Sequence, residues 1–311
     1  MTTDASPRPD LTGVRIGFIG LGVMGAPMAA HLLAAGADLT VHTRTPQRAQ
    51  PLLDAGARWA PSPADAARDA AFVVTIVGFP EDVEAVYFGR RGTAAAPTGG
   101  AGILSTAAPG AVLIDMTTSR PALAREIHAA AAARSIAALD APVSGGDVGA
   151  RAATLSIMVG GDADAFERAR PILAVMGRLV VRQGAAGSGQ LTKLCNQIAI
   201  AGTMFGALEA LLFARRTGLD PTTVLTSIGA GAAASWTLLN LYPRAERGDF
   251  APGFAARHFL KDLRIALDEA SDAALDLPGL ALAERLYGRM VEDEGRGDFG
   301  THGLLLTLMG S

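Results

Sequence analysis

The sequence predicts an α/β domain with a mainly parallel sheet, followed by an all-helical domain. Two observations support this prediction. From Val14 onward, short β-branched apolar runs alternate with Ala/Leu-rich helical patterns, which is typical of parallel strands covered by helices on both faces. After the glycine-rich stretch 184–189 no convincing strand pattern remains, so we place the domain boundary at residue 187.

The elements follow from the local pattern in chain order. Residues 1–13 are polar and contain two prolines, which predicts a disordered N-terminal arm. In the α/β domain, 14–187, the strand patterns are 14–20, 39–42, 72–77, 111–115, 136–140, 155–159 and 179–181, and the helical patterns are 23–35, 122–134 and 163–176. In the helical domain, 188–311, the helical patterns are 190–217, 221–227, 259–273 and 278–292.

Composition excludes several classes of function. A formal net charge of -3 with 27 Lys+Arg gives no basic surface for a nucleic-acid partner. The single cysteine, Cys195, excludes an intramolecular disulfide and fits a reducing compartment, so we expect a cytoplasmic protein. The longest uncharged apolar run on a predicted helix, 194–208, is shorter than the ~20 residues of a membrane span, so no membrane partner is expected.

A glycine motif stands between the first strand and the first helix. Gly20-Leu21-Gly22-Val23-Met24-Gly25 reads G-x-G-x-x-G, in which the first glycine permits a tight turn, the second lets the backbone approach a pyrophosphate, and the third lets helix and strand pack closely. The helix N-terminus adds N–H groups and the positive end of a dipole. In this context the motif predicts a Rossmann-like dinucleotide site, with a purely structural glycine turn as the alternative.

The end of the second strand predicts which dinucleotide binds. An NAD site usually has a carboxylate here for the ribose hydroxyls. This chain instead has Thr43-Arg44-Thr45-Pro46-Gln47-Arg48, and a guanidinium suits a 2′-phosphate because it binds in a fork and stays charged. We therefore expect NADP(H) to be preferred and NAD(H) to be possible. Arg44 is the main predicted contact, with Thr43, Thr45 and Arg48 beside it, and a solvated surface arginine is the alternative.

Further segments complete an ordered set along the chain. They are Asp115-Met116-Thr117-Thr118, Asp140-Ala141-Pro142-Val143-Ser144-Gly145-Gly146, Gly187-Ser188-Gly189-Gln190-Leu191-Thr192-Lys193-Leu194-Cys195-Asn196-Gln197 and Lys261-Asp262-Leu263. With the glycine motif, the set resembles the β-hydroxyacid dehydrogenase family over about residues 14–305. Members include 3-hydroxyisobutyrate dehydrogenases, tartronate semialdehyde reductases and glyoxylate/succinic semialdehyde reductases. The resemblance implies a Rossmann-like domain, a helical domain and an active site in the cleft between them.

The resemblance places the family's catalytic lysine on Lys193. Chemistry also favours a lysine, because hydride reduction of a carbonyl leaves an alkoxide that needs a proton, and the reverse reaction needs a base. A solvated surface lysine is the alternative. It is the weaker one, since Leu191, Leu194 and Ile198 make much of this helix apolar.

The resemblance also assigns the remaining site residues. A small carboxylate-bearing substrate is expected to contact Thr117, Ser144, Gly145, Gly146, Asn196, Gln197, Phe254 and Asp262, and the cofactor is expected to contact Thr118, Lys261 and the pair Phe79-Pro80. Exposed glycine N–H groups suit a carboxylate. Many relatives have Asn-Asn where this chain has Asn-Gln, so either amide can be the main contact. No metal is expected.

Taken together, these residues predict an NADP-preferring oxidoreductase that interconverts a small β-hydroxyacid and its semialdehyde, with Lys193 as acid and base. The alternatives are an imine reductase and a non-catalytic dinucleotide-binding scaffold, which usually lack that lysine. A homodimer or homotetramer is expected, because a single helical array is too short to bury the long apolar helices.

Overall fold

A computed structural model of the chain describes residues 9–89 and 101–310. The chain forms two compact units, Met1–Lys193 and Leu194–Ser311.

The first unit alternates strands with helices. Its strands are β1 Arg15–Ile19, β2 Asp38–His42, β3 Arg58–Trp59, β4 Phe72–Thr75, β5 Val112–Asp115, β6 Ala137–Asp140, β7 Val143–Ser144, β8 Leu155–Gly160 and β9 Gly177–Gly184. Its helices are α1 Gly25–Ala34, α2 Gln50–Asp54, α3 Pro63–Ala67, α4 Pro80–Phe88, α5 Ile103–Thr106, α6 Pro121–Ala132, α7 Gly146–Ala152 and α8 Ala163–Met176, with a 3₁₀ segment at Pro46–Ala49.

These strands form one mainly parallel sheet, which confirms the predicted class. Among the described residues the strand order is β3-β2-β1-β4-β5-β6-β8-β7, with β9 beside β8. Only β8 is antiparallel to two neighbours, β6 and β7. The register pairs Ile19 with Thr75, Thr75 with Asp115, and Asp115 with Asp140, so the last residues of four neighbouring strands lie in one row.

Both faces of the central strand β5 are covered by apolar clusters, which explains its continuous apolar sequence. On β5, Val112 and Ile114 enter one apolar cluster and Leu113 enters another, because successive strand residues point to opposite faces. All three side chains are fully buried. A strand with helices on both faces therefore carries no polar alternation.

Helix α9, Ser188–Arg216, begins in the first unit and continues into the second. The second unit then has α10 Pro221–Ile228, α11 Trp236–Asn240, α12 Tyr242–Glu246, α13 Ala256–Asp272, α14 Pro278–Gly288, a π segment Arg289–Asp293, a 3₁₀ segment Thr301–Gly303 and α15 Leu304–Met309. Within its described part, the isolated bridge between Ala255 and Gly300 is the only strand-like pairing. The predicted helical character is confirmed.

Helix α9 is long and apolar enough to cross a membrane, judged by length and composition alone. It nevertheless carries Leu194, Met204, Leu208 and Leu211 into the apolar core of the second unit. Core helices pass the same test of length and composition, so this helix is weak evidence for a membrane span.

Two predicted boundaries differ from the structure. Residues 1–8 of the predicted disordered arm lie outside the described residues, but Leu11 is 2% exposed and its N–H donates to Ala35 O, so the arm does not extend to residue 13 as predicted. The units divide after Lys193 rather than at residue 187, because hydrogen bonds described below hold the first turn of α9 to the strand ends. The strands β3 and β7 were not predicted, since two residues are too few to show a pattern.

Candidate active site

The three glycines of the fingerprint turn stand in different surroundings. A Cβ on Gly20 would clash with the carbonyl of Ile76, and one on Gly25 would clash with the carbonyl of Gly20, so packing alone requires glycine at both positions. Gly20 also has a φ of +102°. Apart from its chain neighbours, no atom of the described residues would lie within 4 Å of a Cβ on Gly22. The backbone at Gly22 is therefore open to a ligand.

The N-terminus of α1 complements this opening. Its N-cap position, Met24, makes no side-chain capping bond, and the first turn contains no acidic residue. The side chain of Val23 is 67% exposed. An uncapped helix start beside an open glycine backbone suits a pyrophosphate, because N–H groups and the helix dipole both favour negative charge. The glycine motif, Gly20 to Gly25, therefore fits a dinucleotide.

Arg44 lies beside the start of α4. Its Nη1 is 3.0 Å from Asp82 Oδ1, and Asp82 Oδ2 accepts a hydrogen bond of 3.1 Å from the N–H of Phe79. Asp82 thus caps α4 and holds the arginine, and it brings Arg44 close to Phe79 and Pro80. The other predicted contacts differ in burial: Thr43 is buried, while Thr45 and Arg48 are exposed.

The carboxyl ends of β5 and β6 carry a buried group of polar residues, which we call the strand-end network: Asp115, Thr117, Ser119, Asp140 and Gln190. Asp140 binds the start of α9 with both oxygens. Oδ1 accepts from Gly187 N–H at 2.8 Å and Oδ2 accepts from Gln190 N–H at 2.9 Å. A Cβ on Gly189 would clash with the carbonyls of Asp140 and Met158, so the helix start and β6 are in close contact.

Gln190 connects this helix start to the loop after β5. Its Oε1 accepts from Ser119 N–H at 2.9 Å, and its Nε2 donates to Thr117 O at 2.8 Å. The Gln190 side chain is fully buried. The hydroxyl of Thr117 in turn accepts from Val77 N–H at 3.0 Å. One set of hydrogen bonds therefore joins the loops after β4 and β5 to α9.

Burial changes the titration of both carboxyl groups in the strand-end network. Desolvation raises the pKa of Asp115 to about 6, against opposing hydrogen bonds from Thr117 and Thr75, and the charge of Asp140 raises it further. Burial also raises the pKa of Asp140, and the N–H groups of Gly187 and Gln190 work in the opposite direction. Both groups favour the neutral form more than a solvated carboxyl does.

Lys193 follows Gln190 by one helical turn. Its residue exposure is 6%, so its amine lies inside the protein rather than on a solvated helix surface. Thr118, on the loop after β5, is partly buried. The alternative prediction of a surface lysine is wrong in this respect.

The loop Ser144-Gly145-Gly146 joins β7 to α7. Gly145 has a φ of +131° and Gly146 a φ of +62°, and both values favour glycine. Among residues 9–89 and 101–310, nothing beyond its own chain neighbours would lie within 4 Å of a Cβ on Gly146, so the backbone there is open, as at Gly22.

A second polar group lies in the helical unit, and we call it the helical-unit network: Asn196, Gln197, Lys261 and Asp262. Asn196 Nδ2 donates to Gln197 Oε1 at 2.7 Å, and Gln197 Nε2 donates to Asp262 Oδ2 at 2.6 Å. Lys261 Nζ lies 3.0 Å from Asp262 Oδ1; this contact is ionic, because that oxygen has no hydrogen-bond partner among the described residues. The four predicted residues are therefore in direct contact.

Phe254 makes a different set of contacts. Its ring stacks on His258 with centroids 6.4 Å apart and meets Phe259 edge-on at 6.1 Å. Its side chain is partly exposed. Phe254 thus packs on α13 through His258 and Phe259, and its predicted role as a pocket wall stays a prediction.

Within 9–89 and 101–310, no group of three or more His, Cys, Asp or Glu residues is arranged to hold a metal ion. The buried carboxylates Asp115 and Asp140 instead accept hydrogen bonds from hydroxyl and N–H groups.

Sequence reasoning did not assign roles to Asp82, Ser119, Asp140 and Gln190. Asp140 and Gln190 were inside the quoted motifs, and their position at a strand end and at a helix start was the available signal. Asp82 stands three residues after Phe79 at the start of a helix, which is the position of a capping carboxylate. Their partners are distant in sequence, so the pairing itself was not predictable.

Family models match nearly all of the chain. Residues 15–185 match a model described as the NAD binding domain of 6-phosphogluconate dehydrogenase. Residues 187–305 match one described as NAD-binding of NADP-dependent 3-hydroxyisobutyrate dehydrogenase.

Several curated proteins are similar over most of their length. An uncharacterized oxidoreductase of Bacillus subtilis is 50% identical over 93% of this chain and 96% of its own. A probable mitochondrial 3-hydroxyisobutyrate dehydrogenase-like protein of Arabidopsis thaliana is 45% identical over 96% and 86%. An NAD-dependent L-serine dehydrogenase of Pseudomonas aeruginosa is 38% identical over 88% and 91%.

Solved structures have the same fold. A 3-hydroxyisobutyrate dehydrogenase of Mycobacterium tuberculosis, described with L-serine, has a TM-score of 0.83 at 32% identity and covers 95% of this chain and 99% of its own. A protein named Psf3, described in complex with NADP+ and 2-OPP, has a TM-score of 0.84 at 27% identity, with coverage of 94% and 99%.

Proposed function

This chain belongs to the β-hydroxyacid dehydrogenase family, and we propose that it is an NADP-preferring member that interconverts a small β-hydroxyacid and its semialdehyde. The resemblance drawn from the motifs is confirmed, and the chain is an NAD(P)-dependent hydroxyacid dehydrogenase. What we propose beyond family membership is the cofactor preference, the acid-base role of Lys193 and the semialdehyde product.

The observation that carries the proposal is that both lysines of the chain lie at predicted site positions. Of the chain's 27 Lys and Arg residues, only Lys193 and Lys261 are lysine, and all the others are arginine. Arginine does not give up its proton in proteins, whereas an amine can both donate and accept one. Lysine is thus used only at two buried or nearly buried positions of the predicted site. This selective use supports proton transfer at Lys193.

The proposed mechanism assigns each step to a residue. When bound, the reduced nicotinamide supplies the hydride. Lys193 donates a proton from Nζ to the oxygen of the aldehyde as that oxygen gains negative charge, and in the reverse direction the neutral amine accepts the hydroxyl proton. Asn196 and Gln197 present amide donors for the substrate, and Asp262 orients Gln197 through their hydrogen bond.

The open loop Ser144-Gly145-Gly146 supplies a hydroxyl and N–H groups for the substrate carboxylate. Thr117 has a second task beside its predicted substrate contact. Its hydroxyl accepts from Val77 N–H, and hydrogen bonds from Thr117 reach Asp115, so it also holds the loop on which Thr118 lies.

Replacing Lys193 tests the acid-base role. We expect Lys193→Met to lower kcat by about a thousandfold, within the ~10²–10⁴ that positioned proton transfer contributes. Lys193→Arg is the matched variant, because it keeps the charge but a guanidinium does not give up its proton in proteins, and it should lose as much. NADPH affinity, measured by fluorescence titration, should stay unchanged in both. A near-normal kcat in either variant contradicts the proposal.

Substitutions at Arg44 and Gly22 test cofactor binding: Arg44 tests the preference for NADP(H), and Gly22 tests the site shared by both dinucleotides. The absence of a carboxylate after β2 and the presence of Arg44 support NADP(H). Arg44→Ala should weaken NADPH binding about tenfold and leave NADH unchanged, since only NADPH carries the 2′-phosphate. Gly22→Ala should weaken the binding of both cofactors without lowering Tm, because its Cβ would clash with nothing in the part of the chain that the structure describes. Equal kcat/KM of the unaltered enzyme with NADH and NADPH overturns the preference.

Substrate identity is tested with a panel followed by NADPH absorbance. The relatives' names point to small hydroxyacids, 3-hydroxyisobutyrate and L-serine among them. The panel contains these two acids with tartronate semialdehyde, succinic semialdehyde, glyoxylate and a cyclic imine. Turnover of the imine alone would favour the reductase of imines over the proposed activity.

We also propose a cytoplasmic homodimer or homotetramer without nucleic-acid or membrane partners. The single cysteine supports the reducing compartment. Exposed apolar side chains on the helices, Phe213 and Trp236 among them, support self-association. Light scattering of the purified protein would contradict this proposal if it showed a monomer.

A further inference from the structure

We infer that Gln190 is a positioning residue that fixes Lys193 relative to the loop after β5. The inference rests on the proposed function, because it gives Gln190 an effect on the reaction only through Lys193. Gln190 is fully buried, and each polar group of its side chain has a backbone partner.

The contacts of Gln190 fix the position of the main chain. Its side chain binds the N–H of Ser119 and the carbonyl of Thr117, which lie on either side of Thr118. Its own N–H binds Asp140 at the end of β6. The first turn of α9 is therefore held to two neighbouring strand ends, and it can neither slide nor rotate without breaking hydrogen bonds.

Helix geometry transmits this restraint to Lys193. Three residues along an α-helix rise about 4.5 Å and leave the two side chains only about 60° apart around the axis. Lys193 is thus on the same side of α9 as Gln190, one turn further on. A shift of the helix start would move the amine by a similar distance, and misplacement by about 1 Å can reduce a rate by about a hundredfold.

The residue type matches this task. An amide donates and accepts at once, as the carbonyl of Thr117 and the N–H of Ser119 require. A methionine of similar shape would fill the same space without the desolvation that a buried amide costs. The polar side chain is consistent with a geometric requirement that apolar packing would not meet.

The test compares Gln190→Met with Thr192→Val. Thr192 lies in the same turn. Among the described residues its hydroxyl bonds only Ser188 O, within the helix, at 2.8 Å, so its loss leaves the loop contact intact. We expect Gln190→Met to lower kcat by about thirtyfold, and Thr192→Val to keep the activity of the unaltered enzyme.

Lysine-selective ¹³C labelling adds a readout that a merely structural role would not move. The chain gives only two lysine side-chain signals, from Lys193 and Lys261. In Gln190→Met the Lys193 signal and its titration midpoint should change, while the Lys261 signal stays in place as an internal control. Changes in both signals, or in neither, overturn the inference.

Two further variants separate the possible failures. Gln190→Glu keeps the acceptor for Ser119 but loses the donor to Thr117, so it should fold and show a smaller loss of kcat; full activity in this variant contradicts the inference. In the Lys193→Met background, Gln190→Met should cause no further loss, because the amine it positions is gone. If Lys193→Met itself stays active, the proposed function fails. If only Gln190→Met stays active, the inference alone fails.

Discussion

The strand-end network and the helical-unit network are both buried polar groups, yet they use their hydrogen bonds differently. In the strand-end network, Asp140 and Gln190 bind backbone N–H and carbonyl groups of distant segments. In the helical-unit network, Gln197, Lys261 and Asp262 contact one another through side chains. The first arrangement fixes where the main chain lies, whereas the second fixes the position and charge of individual side chains.

The difference has an energetic consequence. Removing a side chain that accepts from the backbone leaves buried N–H groups without an acceptor, and no neighbouring side chain can take its place. Each such N–H group lowers the free energy of unfolding by about 1–3 kcal/mol. Removing one side chain of a buried ion pair leaves an uncompensated charge, but a second substitution can remove that charge as well. Stability measurements on matched variants distinguish the two cases.

The largest effect is expected at Asp140. Asp140→Ala should lower the free energy of unfolding by about 4 kcal/mol, since the N–H groups of Gly187 and Gln190 both lose their acceptor. The control is Asp162→Ala, because Asp162 is exposed and makes no capping bond at the start of α8. Urea unfolding measures both, and equal losses would show that the backbone contacts of Asp140 carry no special weight.

The next effect is expected at Asp262. Asp262→Leu should cost about 3 kcal/mol, because Lys261 remains without its carboxylate in a buried setting. Adding Lys261→Met should restore most of this loss, since the double variant lacks both charges of the pair. A double variant as unstable as Asp262→Leu would show that the hydrogen bond to Gln197, rather than the charge, dominates.

A smaller, pH-dependent effect is expected at Asp115. Its pKa is raised to about 6 in the folded protein from 3.8, so the folded state binds the proton more tightly than the unfolded state. This contribution to stability is fully present below about pH 4 and is lost as the pH rises through about 6. The expected loss is about 2 kcal/mol between about pH 4.5 and about pH 7.5.

Asp115→Asn removes this titration and keeps an acceptor for Thr75 and Thr117. The variant should therefore lose less stability than the unaltered protein over the same pH range. Asp140 titrates in the same direction in both proteins, so its contribution largely cancels in the comparison. Parallel pH profiles of the two proteins would refute the assignment to Asp115.

The elements of the first unit were predictable where the local pattern was long. The strand ending at Asp115 and the helix Ala163–Met176 were read from apolar runs and helical spacing. The two-residue strands β3 and β7 were missed. The burial of Leu11 was not foreseen either, because a single apolar residue after two prolines carries no periodic signal. These features depend on what the rest of the chain places beside them.

The candidate site divides in the same way. Lys193 and the glycine turn were identified from motif and chemistry. The hydrogen bonds of Gln190 to Thr117 and Ser119 were not, because they join residues 73 and 71 positions apart in the sequence. Arg44 was identified as a basic residue after β2, but its ion pair with Asp82 was not. Sequence showed which chemical groups were available, and folding decided their partners.

By itself, the sequence determined the order of helices and strands and the glycine-dependent turn, because backbone dihedral limits and apolar periodicity act over a few neighbouring residues. It also determined the positions of the chain's two lysines. Only the tertiary structure decided that Gly22 is open while Gly20 and Gly25 are crowded, and that Asp140 and Gln190 hold the start of α9. Those outcomes depend on the order of strands in the sheet, which brings distant residues to one edge.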